Sequence, residues 1–166
     1  SKLPPTLLSF IWNQIHFFPI DSLVGKVDWV ITSDWSEPPT KFKKATIVHD
    51  LVYLKYPATV DENTRKTQER RLRWVQKESS IIFADSDSTK IDLESQLGIS
   101  RNKIITNYPG ISQPLKEMRA TGSKIRADRP FILTVGKLEP RKNIEKLVRA
   151  FTSLDQKDID LYIVGM

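Results

Sequence analysis

Basic side chains and a glycine follow an apolar run in the second half of the sequence. Residues 131–151 read FILTVGKLEPRKNIEKLVRAF, and the loop after the apolar run contains Gly136, Lys137, Arg141 and Lys142. Glycine lets a ligand approach the backbone, and the start of a helix offers N–H groups that lack a partner within the helix. A diphosphate would suit this combination, while a solvated basic loop between a strand and a helix would explain the same residues.

A histidine follows another apolar run. His49 and Asp50 come directly after residues 46–48, which we predict to form a strand of a parallel sheet. Proteins of the α/β class bind ligands beyond the carboxyl ends of such strands. His49 is therefore a candidate binding residue, and a histidine that bonds to the backbone at a strand end is the alternative.

The composition narrows the chemistry. The chain of 166 residues has no cysteine, which excludes disulfides, thiolate metal sites and cysteine nucleophiles. Neither GxGxxG nor a Walker A sequence is present, so the usual dinucleotide and ATP-hydrolase sites lose support. We see no ligands at metal spacing and expect no metal or cofactor. The net charge of +6 favours an anionic partner, such as nucleic acid, acidic lipid headgroups or a phosphorylated small molecule.

The apolar runs and the stretches between them predict an α/β fold with a parallel sheet. The runs are continuous, which is typical of strands buried on both faces. We predict strands at 29–31, 46–48, 81–83, 104–106, 131–135 and 161–164. We predict helices from the first residues to Pro19, over 61–79, from Ser86 as N-cap, and from about Asn143, with Leu147, Val148 and Phe151 on its apolar face.

Several segments, taken in order along the chain, resemble the retaining glycosyltransferases of group 1, also called family 4. The family's donor-binding signature, G-[RK]-L-x-x-x-K-[GN] leading into an L-x-x-A-F helix, is similar to residues 135–151. The H-D-L-x-x-x-x-x-P stretch of its mannosyltransferase-like branch resembles residues 45–57, ATIVHDLVYLKYP. The segments that end its first domain resemble residues 84–100 and 103–112. Together these segments cover nearly the whole chain.

The resemblance implies the GT-B fold, in which two Rossmann-like domains face each other across a cleft. Residues 1–109 would be the C-terminal part of the acceptor-side domain, and 130–166 the start of the nucleotide-sugar-binding domain. Between them, 110–129 is aperiodic and contains proline and glycine, which predicts an interdomain linker. The family's E-x7-E pair and its glycine-rich N-terminal loop are not found. The chain thus resembles the middle of a longer enzyme, inactive as a fragment.

The function that the resemblance implies is transfer of a hexose, with mannose indicated by the branch, from a nucleotide diphosphate sugar to a glycan or lipid-linked acceptor, with retention. The donor-binding residues would be His49, Gly136, Lys137, Arg141 and Lys142, and no catalytic residue is assigned. Lys137 stands where many relatives have arginine and loses bidentate geometry, so Lys142, with Arg141 as a second candidate, is the stronger phosphate ligand. The alternative is a non-catalytic α/β module that binds a phosphorylated ligand or a protein partner.

Other features leave alternatives open. The basic helix over 61–79 is interpreted as a solvated face with pairs such as Glu69 with Arg73, and contact with anionic lipid is the lesser alternative. Nucleic acid is an unlikely partner, because no motif that reads DNA or RNA accompanies the charge. Trp35 shapes an acceptor-side loop or anchors that loop as a buried side chain. No stretch has the roughly 20 apolar residues of a membrane span, and no signal-peptide layout is found, so we expect a cytoplasmic protein, with peripheral membrane contact left open.

Overall fold

The computed structural model describes residues 4–110, 128–155 and 157–165. They fall into two compact units, Ser1–Gly110 and Ile111–Met166. Most of the predicted linker, 111–127, lies outside the described residues. Within the described ranges, no helix has both the length and the apolar character needed to cross a membrane.

The first unit contains a sheet of four parallel strands in the order β1-β2-β3-β4. The strands are β1 Trp29–Ser33, β2 Lys43–Val48, β3 Ile81–Ala84 and β4 Ile104–Thr106. Each includes a predicted apolar run. The predicted α/β class and the parallel sheet are therefore confirmed.

Helices connect these strands and precede the first of them. They are α1 Pro5–Phe10, which continues as a π-helical segment Ile11–Ile15, α2 Asp21–Val24, α3 Val52–Lys55, α4 Glu62–Glu78 and α5 Asp87–Leu97. The first helix does not reach Pro19 as predicted. It ends at His16, whose φ of 53° is left-handed and whose ring stacks on Trp74 with centroids 3.6 Å apart.

The two longest helices, α4 and α5, each begin after a residue whose side chain caps the helix. The Asp61 carboxylate accepts a hydrogen bond from the Thr64 N–H at the start of α4, and the Ser86 hydroxyl accepts one from the Thr89 N–H at the start of α5. Such caps are worth about 1 kcal/mol each. Ser86 is thus a helix cap, as predicted.

The apolar core lies where α4 and α5 cover the sheet. Its fully buried members include Val48, Leu72, Val75, Ile82, Leu93 and Ile104. The prediction that the strands are buried on both faces is confirmed for β2, where successive residues are buried, but it is wrong for β1. β1 is an edge strand with an alternating pattern, and Ile31 on its outer face is 64% exposed.

A buried ionic cluster lies beneath α4. The Arg71 side chain is 3% exposed and donates hydrogen bonds to Thr46 Oγ1 at 2.7 Å and to the Ile47 carbonyl at 2.8 Å. Glu37 lies 3.6 Å from the Arg71 Nε and 3.5 Å from the Lys44 Nζ. Burial raises the pKa of the Glu37 carboxyl, while the charge of Lys44 opposes that rise.

This cluster corrects the interpretation of α4 as a uniformly solvated basic face. Arg71 points into the protein, and the remaining charges are partly exposed. The predicted pair of Glu69 with Arg73 is replaced by Glu69 with Arg65, whose Nη1 lies 2.8 Å from Glu69 Oε1. Both pairings join neighbouring turns of the helix, which explains why the sequence alone did not choose between them.

The described residues of the second unit form one parallel strand pair and one helix. These are β5 Phe131–Val135, α6 Ile144–Ser153 and β6 Asp160–Val164. No described residue of this unit is buried, so burial of these strands on both faces is not found. The two strands and one helix in the described part of this unit are too few to cover both faces of a sheet. On α6, Leu147 and Phe151 are half-buried, whereas Val148 is exposed.

Candidate functional site

Three polar side chains follow the carboxyl ends of adjacent strands in the first unit. Asp34 follows β1, His49 follows β2 and Asp85 follows β3. The His49 Nε2 lies 3.0 Å from Asp34 Oδ1, and its Nδ1 is hydrogen-bonded to Asp85 Oδ2. His49 and Asp34 are each 47% exposed at their side chains, so the cluster is open to a ligand.

The surroundings of His49 favour its charged form. A neutral imidazole has one N–H, whereas the protonated ring can donate to a carboxylate from each nitrogen. The hydrogen bond to Asp85 raises the pKa of His49 above its ordinary value; partial burial opposes this rise, and the charge of Asp34 adds to it. The cluster therefore places the His49 ring between two hydrogen-bond acceptors.

Helices α4 and α5 hold the cluster through its backbone. The Gln68 side-chain amide donates to the Asp34 carbonyl at 2.7 Å, and the Thr89 hydroxyl donates to the His49 carbonyl at 3.0 Å. Asp34 has a φ of 54°, a left-handed conformation that aspartate tolerates better than most residues. His49 thus bonds to carboxylates through its ring, and the alternative of a ring bonded to the backbone is not what the structure shows.

The second unit carries the predicted anion loop. Gly136 follows β5, residues Pro140–Lys142 form a 3₁₀ turn, and Asn143 with a φ of 54° precedes α6. A Cβ built on Gly136 would lie 4.0 Å from the Lys142 Cε, so the Lys142 side chain lies beside this glycine. The helix does not follow the loop at once, because the 3₁₀ turn and the left-handed Asn143 intervene.

The three basic residues of this loop are not equivalent. The Arg141 guanidinium is 2.6 Å from the Glu139 carboxylate, whereas Lys137 and Lys142 have no carboxylate partner among the residues that the structure describes. The Asn143 side chain makes no capping bond at the start of α6. Lys137, Lys142 and the first N–H groups of α6 are thus the groups that remain for an anion.

A second glycine adjoins the loop. Gly165 follows β6, and a Cβ built on it would lie 1.7 Å from the Gly136 carbonyl oxygen. No side chain fits at that distance, so the end of β6 approaches the Gly136 carbonyl only because position 165 is glycine. The Gly136 N–H also donates to the Val164 carbonyl at 2.9 Å, so the backbone of Gly136 faces the end of β6.

The five sequence-predicted binding residues thus lie in two groups, with His49 in the first unit and Gly136, Lys137, Arg141 and Lys142 in the second. Sequence reasoning missed Asp34, Asp85 and Gly165. Each of them directly follows a strand, as His49 does, and that position was the available signal. No set of three or more His, Asp or Glu side chains in the described part of the chain is arranged to hold a metal ion.

Comparisons with known proteins identify no family for this chain. No protein-family model matches the chain, and the search of curated proteins finds no match.

Proposed function

We propose that this chain is part of a GT-B glycosyltransferase that transfers a hexose from a nucleotide diphosphate sugar to a glycan or lipid-linked acceptor, with retention at the anomeric carbon. The observation that carries the proposal is the position of Lys142 beside Gly136. It combines an ammonium without a carboxylate partner in the described structure, a glycine that has no side chain to block a ligand, and the N-terminus of α6. These are the elements of a diphosphate site.

The diphosphate is also the leaving group of the proposed reaction, and the protein must stabilise its charge. As the bond between sugar and phosphate breaks, negative charge grows on the leaving diphosphate. A fixed cation and helix N–H groups stabilise that charge without having to reorganise. Lys142 performs this role as a point charge, and Arg141 contributes less because its guanidinium already faces Glu139.

The His49 cluster, within the first unit, offers the hydrogen-bonding groups that a hexose needs. Its imidazole Nε2–H donates to a sugar hydroxyl, and the Asp34 and Asp85 carboxylates accept from sugar hydroxyls. Asp34 is half-exposed, so a hydroxyl can replace it at the His49 Nε2. His49 acts here by hydrogen bonding and forms no covalent bond with the sugar.

A ligand-observed NMR screen of the chain tests the proposal. The panel contains UDP, GDP and ADP, their hexose derivatives and the free nucleosides. We expect the diphosphates to bind, the nucleosides to bind much more weakly, and one sugar nucleotide to show contacts at its hexose protons. Binding of nucleosides as tight as that of diphosphates, or no binding of any diphosphate, would contradict the proposal.

A further inference from the structure

A groove of about 750 Å³ runs between the N-terminal helical segment and α4 in the first unit. Trp35 and Ser36, which follow β1, also line it. Its volume lies in the range of small-molecule sites, roughly 300–1,000 Å³. The groove is distinct from the His49 cluster and the Lys142 loop, because none of those residues lines it.

Polar side chains of two helices line the groove together with the aromatic rings of Phe10 and Trp35. Asn63, Thr67 and Arg70 are spaced so that they share one face of α4. Ser9 and Asn13 line the opposite wall, and both donate hydrogen bonds to the Trp35 carbonyl, at 3.0 and 2.6 Å. The loop that carries Trp35 is therefore fixed to the N-terminal segment.

The side chain of Trp35 is available to a ligand. It is 53% exposed, so the alternative in which a buried tryptophan anchors this loop is wrong. An aromatic face takes the C–H face of a sugar ring, and the amide and hydroxyl groups of Asn63 and Thr67 match sugar hydroxyls. These features together are suited to a saccharide.

The positive charge of the groove favours saccharides that carry an anionic group. Lys66 and Arg70 are its charged lining residues, and no carboxylate lines it. Lys66 is 2.6 Å from Glu62 at the helix surface, while Arg70 has no ion-pair partner in the described ranges. An arginine without a partner on the wall of a polar groove binds carboxylate or phosphate through two parallel hydrogen bonds.

We infer that this groove binds a saccharide that carries an anionic group, with the sugar ring on Trp35 and the anion on Arg70. The inference rests on the proposed function in one respect, because only that function makes this saccharide the acceptor. Sugar phosphates and uronic acids both combine a sugar ring with an anionic group, and the experiment distinguishes these two classes.

The test is an NMR titration of the ¹⁵N-labelled chain with mannose 6-phosphate, glucuronate, mannose and inorganic phosphate. We expect at least one anionic sugar to shift the amides of residues 63–70 and to bind about tenfold more tightly than mannose, as expected for charge-assisted hydrogen bonds. Arg70→Gln should remove this advantage, and Lys66→Gln should reduce it. Trp35→Ala should weaken the binding of all three sugars and leave the binding of inorganic phosphate unchanged. Arg73→Gln, on the same helix but outside the groove, is the matched control.

Three results would overturn the inference. They are equal affinity for the neutral and anionic sugars, inorganic phosphate binding as tightly as the sugar phosphate, and an Arg73→Gln effect as large as that of Arg70→Gln. Pyrophosphate binding is measured on the same samples. If pyrophosphate binds but no sugar shifts the amides of residues 63–70, only the groove inference is overturned. If a sugar shifts those amides but pyrophosphate does not bind, only the proposed donor site is overturned.

Discussion

At the scale of single residues, the chemistry of the first unit is concentrated in His49 and its two carboxylates. The imidazole is held from both sides, by Asp85 at Nδ1 and by Asp34 at Nε2. This arrangement fixes the ring plane and favours the cation. A ligand with hydroxyl groups therefore meets a donor and acceptors whose positions are already set.

The pKa of His49 gives the first prediction. Because Asp85 raises it, an NMR titration of the His49 ring should give a value above 6.5, and Asp85→Asn should lower it. The folded pKa exceeds the unfolded one, so the stability from this contact is fully present below about pH 6.5 and is lost as the pH rises through the folded value. Asp34→Asn is the matched control with a smaller effect. A titration midpoint at or below 6.5 would refute the assignment.

The buried guanidinium of Arg71 gives the second prediction. Arg71→Ala leaves the Glu37 carboxylate buried with only Lys44 as a cation, and should reduce the free energy of unfolding of the first unit by about 3–5 kcal/mol. Urea unfolding followed by tryptophan fluorescence measures this, since all four tryptophans lie within residues 1–110. Arg73→Ala, an exposed position, should change stability by less than about 0.5 kcal/mol. Equal losses in the two variants would show that the cluster contributes nothing specific.

Residue-scale sequence reasoning found His49 but not its partners. A histidine directly after an apolar run is visible in one segment of sequence. The pairing of His49 with Asp34 and Asp85 depends on which strands lie side by side, and the order β1-β2-β3 is a property of the folded sheet. Arg71 was missed for a similar reason, because one buried arginine among exposed ones leaves the charge pattern of α4 unchanged.

At the scale of secondary-structure elements, the apolar runs were sufficient to locate all six strands, because short β-branched segments between helices have few other structures available. Their burial was predicted less well. The edge position of β1 exposes Ile31, and the elements described around β5 and β6 are too few to cover those strands. Burial depends on what packs against a strand, and a strand's own residues do not specify that.

The contact between the ends of β5 and β6 gives the third prediction. Gly165→Ala would place a methyl group 1.7 Å from the Gly136 carbonyl oxygen, so the strand ends must separate. We expect faster hydrogen exchange at the Gly136 amide, which donates to the Val164 carbonyl at 2.9 Å. Gly110→Ala is the control, since nothing lies within 4 Å of its added Cβ. Unchanged protection of Gly136 in the Gly165 variant would be evidence against this close approach.

At the scale of the whole molecule, the chain carries two compact units with different chemistry. The first unit has a buried core, a histidine–carboxylate cluster and a groove with an exposed tryptophan. The second unit has a basic loop beside Gly136 and Gly165, which lie close together in space. The net charge of +6 favours anionic ligands in general, and Lys142 gives that tendency a specific position.

The most direct test of the donor-site proposal is calorimetric titration of the chain and its Lys142→Ala variant with pyrophosphate and with UDP, GDP and ADP. Loss of the Lys142 ammonium should weaken binding of pyrophosphate and of the favoured nucleotide by about 1.5–3 kcal/mol, the worth of a charge-assisted hydrogen bond, and leave nucleoside binding unchanged. Arg141→Ala, whose guanidinium faces Glu139, should cost less. Unchanged pyrophosphate binding in the Lys142 variant, or equal losses for nucleoside and diphosphate, would contradict the account.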